Sequence, residues 1–422
     1  MADHRLQLAR GWLKAGRAEQ AIASCRAFLA QHPADLSATL VLADAYREQG
    51  RLETALEMYD TLLQHYPHHQ DILISRERCR QQLAQPLAPA SFESHPDGRV
   101  CLHDQARFPT HRSGWNFAID ALRAVHRDDG VRLDGFVEDT FSWRVEALEA
   151  EGVLPRSQPW VGFVHNPVCM PAWYHPDSHP QMVLSRPSCQ RSMQHCRGLF
   201  TLSEELAGWV RHETGKPVST LLLPTGPPTR TFSVERFLAN PQKSIVQVGW
   251  WLRRLRAIYR LPLARGNPLG YDKVWLLTTP FYNAQDHFQS LLAHEPNDIV
   301  QRYEENTRVV QHLGPLAYDA CLSQNIAFMD LWDCAASTAV TECMARATPL
   351  LINPLPAVVE YLGADYPFYF STLEEAAEKA LDVDRVVRTH HYLENSDTRR
   401  QITGEHFLQA FQRSDVYQSL SP

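Results

Sequence analysis

Residues 325–363, NIAFMDLWDCAASTAVTECMARATPLLINPLPAVVEYLG, hold the groups best suited by type and spacing to grip a phosphate. The apolar run 326–331 is short enough for a buried strand. Small and polar residues follow at 332–337, and 338–345 reads as a helix with Val340, Met344 and Ala345 turned inward. Pro349 ends that helix, because the residue before a proline is pushed out of the α region, and Leu350, Leu351 and Ile352 form a second strand. Two parallel strands joined by a helix bring the helix N-terminus to the carboxyl edge of the sheet. There the amides of Ser337, Thr338 and Ala339 and the helix dipole suit a phosphate. The stretch reads as a nucleotide-diphosphate cradle, the alternative being a βαβ unit without a ligand.

Cations are available upstream. In KSIVQVGWWLRRLRAIYRLP a buried strand runs into a helical reading that sets Arg253, Arg254 and Arg256 within about one turn. The planar fork of arginine donors matches phosphate oxygens, and the plain alternative is a solvated helix face. His165 closes the apolar run WVGFVH, where an imidazole could take a proton or simply bond to backbone. His175 and His179 stand in WYHPDSHP, whose prolines prevent the helix that would align both rings, so a surface loop is expected. Cys189, His195 and Cys196 lack the second ligand pair of a zinc site. The nine cysteines are odd in number and without a C-x-x-C pair, so they read as small buried hydrophobes and not as disulfides.

The elements that must position these groups are set by a chain of 422 residues, long enough for two or three domains. A hydrophobic share of 44% with 21% charged residues is that of a globular protein. The net charge of -7 speaks against binding nucleic acid through its phosphates, which needs a basic footprint. No apolar run reaches membrane-spanning length and MADHRLQLARGW carries no signal-peptide core, so no integral membrane segment and a cytoplasmic location are expected.

Residues 1–84 repeat with a period of 34. Pro33 aligns with Pro67, Ala9 with Ala43, Trp12 with Tyr46, Gly16 with Gly50, Ala21 with Ala55, and Phe28 with Leu62. Small residues let paired helices approach and aromatics fill the gaps. This resembles the tetratricopeptide repeat. Two repeats with a capping helix at 72–83 bury little core alone, so the segment is expected to serve a protein acceptor or partner, or to form a homodimer or packing module. QPLAPA opens a linker over 85–97. Beyond it strands and helices alternate in two series, pointing to two doubly wound sheets with a cleft between them.

From 98 to 412 the order of parts resembles the GT-B glycosyltransferases. A strand and glycine loop are matched by Ser113 and Gly114, a strand ending in histidine by His165 and Asn166, and a diphosphate segment V-G-x-x-x-R/K by Gly249, Arg253 and Arg254. A segment near the nucleobase is matched by His312 and Gly314, the ribose-gripping acid by Glu342, and an acid near the sugar hydroxyls by Glu360. The resemblance implies an α/β chain of two Rossmann-like domains behind a small all-α repeat segment. It divides into repeats at 1–84, an acceptor domain at 98–232, a donor domain at 233–390, and a C-terminal helix at 391–422 packing back toward the acceptor domain. It implies transfer of a sugar from a nucleotide-diphosphate donor of unidentified base to a protein or glycan acceptor, with His165 and Glu360 at the chemistry. Ser113, Gly114 and Asn166 would border the acceptor.

The sequence departs from the family at one telling place. Retaining members carry a second Glu eight residues before the ribose acid, and here that position is Cys334. The single D-x-D, Asp382-Val383-Asp384, falls in a C-terminal helical stretch and reads as solvated surface, so no metal or other cofactor is expected. The half-kept acid pair leaves a second expectation open, a catalytically degenerate scaffold or interaction protein of the same fold whose repeats bind a partner.

Overall fold

The computed structural model describes residues 2–14, 17–67, 69–84, 92–103, 105, 114–143, 145–150, 152–277, 290–299, 301–310 and 313–421. The chain divides into two units, Met1–Ala88 with Leu313–Tyr318, and Pro89–His312 with Asp319–Pro422.

The first unit is a stack of helices, α1 (Ala2–Lys14), α2 (Ala18–Leu29), α3 (Leu36–Glu48), α4 (Leu52–His65) and α5 (Gln70–Ala84). The repeated small residues Ala9, Ala21, Ala43 and Ala55 are all fully buried, which lets the helix backbones approach, and Phe28, Tyr46 and Leu62 fill the spaces between them. Asp35 caps α3 by accepting from the Ala38 amide at 2.7 Å, and Gly50 takes φ +75 just after α3, a conformation natural to glycine. The Glu57 carboxylate of α4 accepts from the Leu316 amide at 2.9 Å, which binds 313–318 into this unit.

The second unit holds two parallel sheets. One contains β1 (Val100–Cys101), β2 (Val131–Asp134), β3 (Trp160–Phe163), β4 (Cys196–Thr201) and β5 (Val218–Thr220) in sequential order. The other contains β6 (Ser244–Val248), β7 (Asp272–Leu276), β8 (Thr307–Val310), β9 (Ile326–Met329) and β10 (Leu350–Ile352), ordered β10-β9-β6-β7-β8. Only the second sheet doubles back, so the expected doubly wound order fails for the first. The reversal lies between β6 and β9, and open α/β sheets bind ligands beyond the carboxyl ends of strands at such a point. All residues of β6, β9 and β10 are buried, as a sheet covered on both faces requires. Near 367–370 the backbone makes a single parallel bridge, between Ile352 and Tyr369.

Helix α6 (Gly114–Ala121) begins with Gly114 at φ +64. Helices α7 (Glu204–Thr214), α8 (Pro315–Leu322), α9 (Thr338–Arg346), α10 (Pro356–Leu362) and α11 (Val383–Glu394) follow, before α12 (Gly404–Arg413) and α13 (Asp415–Gln418). Phe411 of α12 stacks on Phe163 and Phe200 of the first sheet, at 6.3 and 4.7 Å between centroids. Arg99, beside β1, donates to the carbonyls of Gln418 and Leu420 at 3.1 and 3.0 Å. The end of the chain therefore completes the core of the first sheet. The two sheets are tied by α10, whose Tyr361 hydroxyl accepts from the Leu223 amide and donates to the Leu202 carbonyl, each at 2.8 Å. Among the described residues no helix is long and apolar enough to cross a membrane.

Candidate functional site

At the carboxyl end of β6 the chain turns instead of continuing as the expected helix; regular helix resumes only at Ala257–Arg260. Gly249 sits at φ +77 and Leu252 at φ +53, a left-handed conformation that costs a branched side chain energy and must be held from outside. The holders are specific. The buried Tyr174 hydroxyl accepts from the Leu252 amide at 2.7 Å, and the Leu252 carbonyl accepts from the Trp332 amide at 2.9 Å. Buried Gln247 of β6 braces the far side, donating to the Leu255 carbonyl at 3.0 Å and accepting from the Ile258 amide at 3.1 Å.

This turn throws Arg253 back across the strand ends. Its Nε donates to the Val248 carbonyl at 3.2 Å, and Nη2 donates to Ser337 Oγ at 3.1 Å. Nη1 donates to the Trp251 carbonyl. Ser337 stands at the N-cap of α9 but makes no side-chain cap bond there. Its hydroxyl is turned to Arg253, so the first-turn amides of α9 receive no cap from Ser337. The sequence-derived set Gly249, Arg253, Ser337, Thr338 and Ala339 thus meets at the switch point. Glu342 follows one turn into α9, 5% exposed, with its carbonyl accepting from Arg346 Nη1 at 2.8 Å.

Arg254 leaves in another direction. Its amide donates to the Asp330 carbonyl at 2.7 Å, its Nε lies 3.3 Å from Asp330 Oδ1, and its guanidinium lies 3.7 Å from the centre of the Trp332 ring. That is a half-exposed cation held on an aromatic face. Burial pushes the Asp330 carboxyl up to about 6, with Arg254 partly opposing it. Arg256 is no part of the group, since its amide and Nη1 are taken by the Glu295 carboxylate and carbonyl.

The first sheet contributes two loops. Asp333 accepts from the Cys334 amide at 2.8 Å and from the Cys169 amide at 2.7 Å, so the loop after β3 is pinned to the loop after β9. Trp173 packs edge-on to Trp332 and flat on His294. Deeper, His165 and Asn166 both donate backbone N–H to Glu138 Oε1, at 2.8 and 2.7 Å. His165 Nε2 lies 2.9 Å from the Gly135 carbonyl, which fixes the proton on that nitrogen. Its ring stacks on Phe136 and meets Trp115 edge-on. Asn166 Nδ2 donates to the Ser178 carbonyl at 2.8 Å. Burial drives the Glu138 carboxyl up to about 7 against those two amides.

The remaining sequence-derived residues are placed elsewhere. The Glu360 carboxylate accepts from the amides of Glu204 and Glu205, at 2.7 and 2.9 Å, and so completes the N-terminus of α7 together with Ser203. Gly314 lies in the repeat unit, where an added Cβ would fall 2.2 Å from Glu57 Cδ. Asp382 of the D-x-D caps α11 by accepting from the Arg385 amide at 2.9 Å. Ser113 and His312 lie outside the described residues. Cys334 is buried, and that burial pushes its thiol up to about 12, so it stands beside the cradle as a neutral group. Sequence reasoning missed Tyr174, Asp330, Trp332, Asp333 and Glu138. The density of aromatics in CMPAWYH was the available signal for the first of these.

The chain defined by these features is an α/β protein of two parallel-sheet layers behind a tetratricopeptide segment. A tetratricopeptide repeat model matches residues 13–75. No curated protein matches the chain in sequence. Among solved structures it is similar to an alpha,alpha-trehalose-phosphate synthase (UDP-forming) from Burkholderia xenovorans, at 13% identity and TM-score 0.46, over 72% of this chain and 77% of that one. The corresponding enzyme from Burkholderia vietnamiensis gives 12% identity and TM-score 0.45, over 70% and 74%. An O-GlcNAc transferase mutant from Thermobaculum terrenum gives 13% identity and TM-score 0.42, over 100% and 92%.

Proposed function

We propose that this chain is a GT-B glycosyltransferase that moves a sugar from a nucleotide-diphosphate donor to a protein or glycan acceptor. The observation that carries the reading is the switch point between β6 and β9, where Ser337 bonds Arg253 instead of capping α9. A leaving diphosphate gains charge as the bond to the sugar breaks, and preorganised cations and helix-terminal amides stabilise that charge. Arg253 and the amides of Thr338 and Ala339 would hold the phosphates, with Ser337 released to them on binding. Arg254, carried on Trp332, would supply a second cation. Gly249 permits close approach of the backbone, and Glu342 would accept from the ribose hydroxyls. These cations make a metal unnecessary to the proposed reaction.

On the acceptor side, Gly114 and the loop carrying His165 and Asn166 would border the second substrate. In this arrangement His165 acts through Nδ1 if it acts as a base, because Nε2 already serves Gly135. Glu360 would act in positioning the two sheets through α7. The tetratricopeptide segment would hold the acceptor protein or a partner. A second reading, a catalytically degenerate scaffold or interaction protein whose repeats bind a partner, draws on neutral Cys334 in the position of the first acid and on an Arg253 whose donors face protein groups. A panel of UDP-, GDP- and TDP-sugars, read by thermal shift and by nucleotide release, separates the two. Transfer predicts binding with turnover, and binding without turnover or no binding at all removes transfer and leaves the scaffold.

A further inference from the structure

Among the described residues two groups of three ligand-type side chains lie away from the switch point. They are His103, His126 and Asp128, and His390, His391 and Glu394, each with its ligand atoms within 4.8 Å of one another. Backbone hydrogen bonds give them opposite characters. His126 Nδ1 accepts from the Leu102 amide at 3.0 Å, so its proton is on Nε2, which lies 3.2 Å from Asp128 Oδ1 and donates to it. A metal could reach that imidazole only by displacing the proton to make an imidazolate. The cluster is a closed hydrogen-bond set.

His390 is arranged the other way. Its Nδ1 lies 2.8 Å from the carbonyl of Ala347, a residue at φ +53 that ends α9, and a carbonyl can only accept, so the proton sits on Nδ1. The Nε2 lone pair then points to Glu394 Oε2 at 3.4 Å. A neutral imidazole nitrogen and a carboxylate oxygen at that separation can share one bound cation. His391 Nδ1 lies 3.2 Å from the same carboxylate oxygen. The edge of a tetrahedron with metal–ligand bonds of about 2.0–2.1 Å is about 3.3 Å, so both separations match adjacent corners of one coordination sphere. Metal-ligating imidazoles characteristically donate their other N–H to a carbonyl or carboxylate, as His390 does.

We propose that His390 Nε2, His391 Nδ1 and Glu394 Oε2 form a binding site for a divalent transition metal of the zinc type. Bound there, the ion would fix the His390 ring, whose Nδ1–H holds the Ala347 carbonyl at the end of α9. The site stands independently of the proposed transfer activity.

The test uses the full chain, stripped with a chelator and titrated with zinc sulfate by calorimetry, with cobalt(II) as a visible-absorption probe of tetrahedral geometry. Glu394→Gln and His391→Ala alter side chains that are 45% and 59% exposed, so both variants retain the fold. The expected result is a site whose affinity falls at least about tenfold in either variant, with loss of the tetrahedral cobalt band, while His103→Ala changes nothing. Absence of zinc binding in the unaltered chain, or binding that neither variant weakens, overturns the proposal.

Discussion

Glu138 offers the sharpest test of how the loop after β3 is held. Its side chain is fully buried, Oε1 takes the amides of His165 and Asn166, and Oε2 has no hydrogen-bond partner among the described residues. Burial raises the carboxyl from 4.5 to about 7 in the folded chain. Between those values the folded protein keeps a proton that the unfolded chain has released, so stability is full below the unfolded value and falls as pH rises through the folded one. At about 1.4 kcal/mol per pH unit, the whole span corresponds to about 3 kcal/mol. Most of it is lost between pH 5 and pH 8. Glu138→Gln keeps the acceptor for both amides and cannot ionise, so this part of the pH dependence should vanish. Unfolding of both proteins, followed by tryptophan fluorescence at pH 5, 6, 7 and 8, gives the comparison directly. The original chain should lose about 2–3 kcal/mol more than the variant from pH 5 to pH 8. Parallel pH profiles would refute the reasoning, because they would mean that Glu138 ionises as an ordinary carboxylate and that its burial carries no electrostatic cost.

Two further outcomes follow elsewhere in the second unit. Arg346 and Asp319 form a buried ion pair, with Asp319 also accepting from the amide and hydroxyl of Thr229 at 2.7 Å each. Burial works to raise the Asp319 carboxyl, and Arg346 with Thr229 outweighs it, so the net displacement is downward. Its contribution is therefore present above the ordinary carboxylate range and lost on acidification. Asp319→Asn should cost about 3–5 kcal/mol near neutral pH, as expected for one buried charge left unmatched, and less in acid; chemical denaturation at both pH values checks this. Gly249→Ala adds a Cβ whose nearest neighbour is the Arg253 guanidinium at 3.7 Å, an ordinary contact, so the cost comes from φ +77. The expected loss is about 1 kcal/mol, with nucleotide affinity falling further as the turn shifts; equal affinity in a folded variant would separate Gly249 from the site.

What the sequence made legible were the features that repeat at short range. The 34-residue spacing of alanines and aromatics located the repeat helices, and short apolar runs located the strands of both sheets. The run 325–363 placed β9, α9 and β10 close to their observed limits. Long-range terms were hidden. Nothing near Leu252 announces a left-handed turn, because its support comes from Tyr174, 78 residues away. The arginine-rich text 252–260 satisfies helical spacing, and tertiary bonds from Tyr174 and Trp332 override it. Glu138 reads as an ordinary surface acid until β3 and its loop cover it. The sequential order of the first sheet depends on which strands pair, which local pattern does not encode.

The central claim is that the switch point between β6 and β9 binds a nucleotide diphosphate. The direct measurement is calorimetric titration of the full chain with UDP, GDP and TDP and their sugars, repeated on Glu342→Ala. The account predicts saturable one-site binding by at least one of them, weakened about tenfold in the variant through loss of a charged hydrogen bond. No binding by any of these ligands would contradict the claim, and binding that Glu342→Ala leaves unchanged would remove Glu342 from the site.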